Sequence, residues 1–322
     1  MHQQFELQTF KVNGITLRAA VEGTGPLVLL VHGWPELWYS WRHQIKPIAE
    51  AGYRVVAPDM RGYGGSDKPH AVEAYDMATL MADIVGLIDA LGEETAILVG
   101  HDWGAPICWN TATLHARRVS AVACLSVPYR KRGEISATEL WRRIYVGKFF
   151  YQLYFQDEGV AEAELEADAE TALRKIYFAL SGNAPSPDSW LNRPADSALL
   201  DNLIDPASFP SWLSPEDLAY FVANFEAGGF RGPINRYRNQ DRDFLDLADM
   251  GTVPVRQPSC FIAGSKDLVR WFVPNYDLYE DLDGNCDDLR VTEIIEGAGH
   301  WVQQEAPDQV NAALLKFLAT LD

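Results

Sequence analysis

Apolar positions follow two alternating patterns along the first 130 residues. Residues 5–22 are half polar, and Asn13-Gly14 in the middle is the dipeptide of a type I′ turn, so a hairpin is expected there. Leu27-Val28-Leu29-Leu30-Val31 follows as an unbroken aliphatic run, as a strand covered on both faces should be. Similar runs occur at Tyr53–Pro58, Ala96–Val99 and Val119–Val127. Between them the apolar spacing is helical: Trp38, Trp41, Ile45 and Ile48 up to Gly52, then Met77, Leu80, Met81, Ile84, Leu87, Ile88 and Leu91 up to Gly92. A further helix is expected from Trp103 to about Ala116. Strands alternating with helices imply βαβ units and a parallel sheet.

The alternation stops between Pro128 and Gly251, where helical patterns and aromatic-rich loops leave no convincing strand. One helix start is clear, with Ser214 as N-cap, Pro215 first and Asp217 third, and Gly228-Gly229 closes that helix. The strand pattern then resumes at Ser259–Ala263 and Val291–Ile295, and Val310, Ala313, Leu314, Phe317 and Leu318 line a last helix. The expected class is α/β, a mostly parallel central sheet flanked by helices. Residues 1–128 and 252–322 would form its core, and 129–251 an inserted helical lid.

Composition adds boundaries to this picture. The chain has 322 residues and a formal net charge of −18, which argues against nucleic acid or an anionic membrane as a partner. Cys108, Cys124, Cys260 and Cys286 are scattered without a C-x-x-C pair and read as reduced thiols of a cytoplasmic protein. Met1–Glu6 lacks the basic and apolar regions of a signal peptide, and no apolar run approaches a membrane span. H-E-x-x-H, G-x-x-x-x-G-K-[ST] and G-x-G-x-x-G are all absent, so no metal or nucleotide cofactor is expected. A homodimer is compatible with the sequence.

The candidate chemistry sits at the ends of the strands. Gly100-His101-Asp102-Trp103-Gly104 has the G-x-Nu-x-G form of a nucleophile elbow, with Asp102 where esterases carry serine. The competing reading of Asp102 is a simple helix N-cap. Asp267 and His300 follow the two resumed strands, and ligands in open α/β sheets bind beyond the carboxyl ends of strands, so the three should converge. Their order, nucleophile then acid then histidine, is that of the α/β-hydrolases. His32-Gly33-Trp34-Pro35 occupies the position of the loop that donates one oxyanion-hole N–H, so Trp34 and Trp103 are the candidate backbone donors. His32 itself reads as a structural histidine holding that loop, and Trp103 as a pocket wall.

The sequence resembles the α/β-hydrolase-fold epoxide hydrolases over nearly its whole length. The likeness is carried by His32-Gly33-Trp34-Pro35-Glu36, Asp59-Met60-Arg61-Gly62-Tyr63-Gly64-Gly65-Ser66, Gly100–Gly104, Gly264-Ser265-Lys266-Asp267 and Gly299-His300-Trp301. The first three also occur in haloalkane dehalogenases. From the residues alone, any of seven lid tyrosines could act. The resemblance singles out Tyr154, within Leu153-Tyr154-Phe155-Gln156, and Tyr237, within Phe230–Asn239. It also implies a cis Trp34–Pro35 peptide.

The resemblance implies an epoxide and water as substrates. Asp102 would attack a ring carbon and form an ester, which water activated by His300 and oriented by Asp267 would then hydrolyse. The two phenols would protonate the opening oxygen. A halide leaving group needs no such proton, which sets a haloalkane dehalogenase apart. A ligand-binding protein without turnover is the other alternative, although it would have no need of all three polar residues.

Overall fold

In a computed structural model the described residues are 5–186, 188–280 and 282–321; Met1–Gln4, part of the stretch read for a leader, lie outside them. Among the described residues eight strands form one sheet: β1 (Glu6–Val12), β2 (Ile15–Glu22), β3 (Leu27–Val31), β4 (Arg54–Pro58), β5 (Ala96–His101), β6 (Val119–Leu125), β7 (Ser259–Gly264) and β8 (Leu289–Ile295). Their order across the sheet is β1-β2-β4-β3-β5-β6-β7-β8. The β1/β2 and β2/β4 pairs are antiparallel and the rest parallel. Asn13 and Gly14 take φ of 43° and 78°, as the hairpin turn requires. Every residue of β3, β5 and β7 is buried, which explains their unbroken apolar runs.

Helices α1 (Ile45–Glu50), α2 (Met77–Ala90) and α3 (Gly104–Leu114) connect the first strands. The Trp38–Ile48 pattern, expected as one helix, divides into a 3₁₀ turn over Trp38–Trp41 and α1. Between β6 and β7 come α4 (Ala137–Ile144), α5 (Tyr151–Tyr154), α6 (Val160–Ala167), α7 (Ala169–Leu180), α8 (Asp188–Leu191), α9 (Pro215–Gly228), α10 (Arg231–Arg238) and α11 (Gln240–Asp246). Within residues 129–251 a single bridge, Lys148 to Pro194, is the extended pairing found among the described residues. The Ser214–Asp217 capping box opens α9 as read from the sequence. After β8, α12 (Val302–Glu305) and α13 (Pro307–Leu318) complete the chain. No helix among the described residues is long and apolar enough to cross a membrane.

The inserted helices are fastened to the strand-bearing part by buried polar contacts. Tyr177 donates to the Pro35 carbonyl (2.7 Å), Arg236 to the Tyr75 carbonyl (2.9 Å) and the Met77 N–H to Asp243 (2.8 Å). The Trp34–Pro35 peptide is cis.

The turn from β5 into α3 is packed backbone against backbone. Asp102 holds φ of +49°, a left-handed conformation that costs a residue with a side chain energy and persists only where its surroundings enforce it. Here they do: a Cβ on Gly100 would lie 2.3 Å from the Gly104 oxygen, and one on Gly104 would lie 2.0 Å from the Val31 oxygen. Strand, turn and helix touch backbone to backbone. Gly104→Ala should therefore lower the unfolding free energy by about 2 kcal/mol or more through overpacking. Chemical denaturation measures it, and wild-type stability would show that the turn has room to spare.

Candidate active site

The carboxyl ends of β5, β6, β7 and β8 bring Asp102, Ser126, Asp267 and His300 together. His300 Nε2 lies 3.5 Å from Asp102 Oδ2, and its Nδ1 lies 3.2 Å from Asp267 Oδ1. Asp102 Oδ1 accepts a 2.7 Å bond from the Trp34 N–H. Trp103 N borders the same small space, because a Cβ on Gly33 would sit 2.3 Å from Asp102 Oδ1 and 2.6 Å from Trp103 N. A side chain at position 33 would thus fill the space beside the carboxylate that the two backbone nitrogens face.

His300 is buried, which by itself would pull its pKa down. The charge of Asp267, the hydrogen bonds to Asp102 and Asp267, and the charge of Asp102 override that and raise it well above the usual value. Burial works on Asp267 in the opposite sense, yet the His300 charge and donors from His300, Ser126 and the Val269 N–H hold its carboxyl below the ordinary range.

Tyr237 also reaches the site. It is 1% exposed, its ring is packed edge-on to Trp34 and Trp103, and a small cavity beside it is lined by Asp102, His300 and Tyr151. Burial, with the nearby Tyr151 and Asp102, pushes the Tyr237 phenol well above its ordinary pKa, and burial with Asp102 does the same for Tyr151. Both are neutral donors at any working pH.

Tyr154 is the correction. Its hydroxyl donates to Glu164 of α6 at 2.8 Å, away from Asp102, and its ring packs on Phe149. The buried pair on this single helical turn is Tyr151 and Phe155, spaced i,i+4, and both pack against Trp34 and Tyr237. Gln152 donates to the Tyr151 oxygen at 3.0 Å, so the Tyr151 hydroxyl proton stays available to a ligand. The available signal was this spacing beside an apolar partner, which Tyr154 lacks.

Three further groups escaped the sequence reading. Ser126, at φ of +71° just past β6, places its hydroxyl 3.0 Å from His300 Nδ1, and Tyr279 donates to its carbonyl at 2.7 Å. His101 lies beneath the histidine loop. Its Nδ1 is 2.7 Å from Glu36 and its Nε2 2.7 Å from the His300 carbonyl. The two contacts grip the ring from either side. Although burial raises the Glu36 carboxyl, the His101 charge and hydrogen bond bring it down to about 2. Finally, Glu305 accepts from the N–H groups of Gly182, Gly299 and Trp301, bracketing His300. His32 is structural as expected: its Nε2 accepts from the Met60 N–H at 3.0 Å, and burial lowers its pKa.

Because the Asp102 charge helps raise the His300 pKa, Asp102→Asn should move that midpoint downward. Imidazole nitrogen chemical shifts recorded against pH measure it. An unmoved or higher midpoint would mean that the two groups are not coupled.

The profile of the alpha/beta hydrolase fold family matches residues 26–307. Epoxide hydrolase A of Mycobacterium tuberculosis is 45% identical over 96% of this chain and 96% of its own length. Among solved structures, an epoxide hydrolase from an endophytic Streptomyces superposes with a TM-score of 0.94 at 43% identity, covering 99% of this chain and 97% of its own. Epoxide hydrolase A from Mycobacterium thermoresistibile gives 0.92 at 42% identity, covering 98% of each chain. With a family profile spanning most of its length and relatives this similar from end to end, the chain belongs to the α/β-hydrolase-fold epoxide hydrolases.

Proposed function

We propose that the protein hydrolyses epoxides to vicinal diols through a covalent ester on Asp102, beneath a cap formed by residues 129–251. The observation that carries this reading is the pair of buried neutral phenols, Tyr151 and Tyr237, lining one cavity with the Asp102 carboxylate and His300. A carboxylate facing proton donors suits a substrate whose leaving oxygen stays attached and must gain a proton.

The two carboxylate oxygens are not equivalent. Oδ1 is held by the Trp34 N–H, so Oδ2 is the one that attacks. A bond forms from Oδ2 to a ring carbon, the carbon–oxygen bond of the ring breaks, and the oxygen takes a proton from Tyr151 or Tyr237. Asp102 is then a neutral ester, and one of the charges that raise the His300 pKa has gone. Losing it favours the neutral imidazole required to take a proton from water.

That water attacks the Asp102 carbonyl carbon, and negative charge develops on Oδ1. Trp34 N–H and Trp103 N–H receive it, each such donor being worth about 2.7–4 kcal/mol in comparable sites. Collapse breaks the ester bond, the expelled oxygen takes the proton of the newly added hydroxyl to complete the diol and leave Asp102 a carboxylate, and a proton returned from His300 restores the phenol. Asp267, supported by Ser126, orients His300 and stabilises its cation. His101 and Glu36 hold the His300 backbone from below.

Two experiments test the scheme. Mixing His300→Gln with styrene oxide should accumulate protein heavier by one substrate in intact-mass spectra, and unmodified protein throughout would remove the ester. Replacing Tyr151 and Tyr237 together by Phe should lower kcat/KM for diol formation by about 100-fold or more. Tyr154→Phe, in contrast, should stay near wild type; the reverse ranking would return the proton-donor role to Tyr154.

A further inference from the structure

The space around Asp102 is markedly unequal on its two sides. Toward Trp34, Leu180 and Trp190 the cavity holds about 10 Å³, room for about one water. Toward Trp103, Trp109, Val127, Trp141 and Phe244 it opens to about 450 Å³, the size of a small-molecule pocket. Asp102 and Tyr151 border both spaces, so one reacting centre faces a cramped side and a roomy one.

The cramped side is fixed. Leu180 accepts the His300 N–H at 2.9 Å, so its backbone cannot retreat without dragging the histidine. Trp34 is anchored by its N–H to Asp102, and Trp190 packs on Tyr151 with ring centroids 5.4 Å apart. On the roomy side, three of the inner polar side chains are tied to the protein. Arg236 pairs with Asp243, Gln240 donates to the Tyr237 carbonyl, and Asn110 to that of Pro106. The far end is lined by Arg130, Lys131 and Gly133, of which Arg130 and Lys131 are exposed, so this side reaches solvent.

We infer that the site takes epoxides with one bulky apolar substituent, laid along the Trp103–Trp141 side, and only hydrogen or a group of methyl size toward Leu180 and Trp190. This rests on the epoxide-opening reading above. Terminal epoxides are the substrate class, and epoxides with a sizeable group on each ring carbon are excluded by volume. A propyl chain does not fit where one water does, and pushing the wall back moves His300.

The isomers 1-octene oxide and trans-4-octene oxide separate shape from hydrophobicity, since they share a composition. For the wild-type protein, kcat/KM for diol formation should favour 1-octene oxide by at least about 100-fold. Leu180→Ala, or Trp190→Ala where the first does not fold, should reduce that ratio at least tenfold by admitting the internal isomer. Equal rates on the two isomers, or a preference for the internal one, would overturn the one-sided site while leaving epoxide opening intact. A wild-type ratio that survives both enlargements would also overturn the assignment of that wall. Diol from neither isomer, nor from styrene oxide, would remove the epoxide reading, and this inference with it.

Discussion

A left-handed aspartate pressed between two glycines is the constraint on which the rest of the site depends. At φ of +49°, Asp102 is carried above the sheet, clear of the helix it precedes. The conformation is held by backbone packing between β3, β5 and α3, not by a hydrogen bond of the side chain. Both carboxylate oxygens are therefore free for other partners. One meets the Trp34 N–H and the other faces His300. Had the aspartate capped α3 in the ordinary way, its oxygens would have been spent on that helix.

Around this turn, charge is arranged in alternating layers. Asp102 and Asp267 flank His300. Below them the His101 ring lies between Glu36 and the His300 carbonyl, with its centroid 4.8 Å from that of His300. Each of the two rings has its own carboxylate partner, Glu36 for His101 and Asp267 for His300. The Glu36 carboxyl, brought down to about 2, stays ionised through the neutral range and keeps a fixed negative charge in the lower layer.

How much of this is legible in the sequence differs by level. The strands are, because β3, β5 and β7 are buried on both faces and admit only apolar runs. Asp102, Asp267 and His300 are too, because strand ends fix their positions through the chain alone. The tyrosine of α5 is not: Tyr151 and Tyr154 share one turn, and what separates them is Trp34 on one side and Glu164 on the other, contacts far away in sequence. Ser126, His101 and Glu36 fail for a similar reason. A serine after a strand and a histidine beside the nucleophile are ordinary residues until the loops from β3, β6 and β8 meet.

The contact between Leu180 and the His300 backbone also bears on how molecules come and go. Together with the Gly182 N–H on Glu305, it ties the end of α7 to the loop that carries the histidine. A hinge lifting the inserted helices at this margin would pull His300 out of register with Asp102 and Asp267. Traffic is thereby directed to the opposite margin, where Lys131 and Gly133 border an opening that needs no such rupture. A doorway set apart from His300 leaves the contacts of that ring undisturbed.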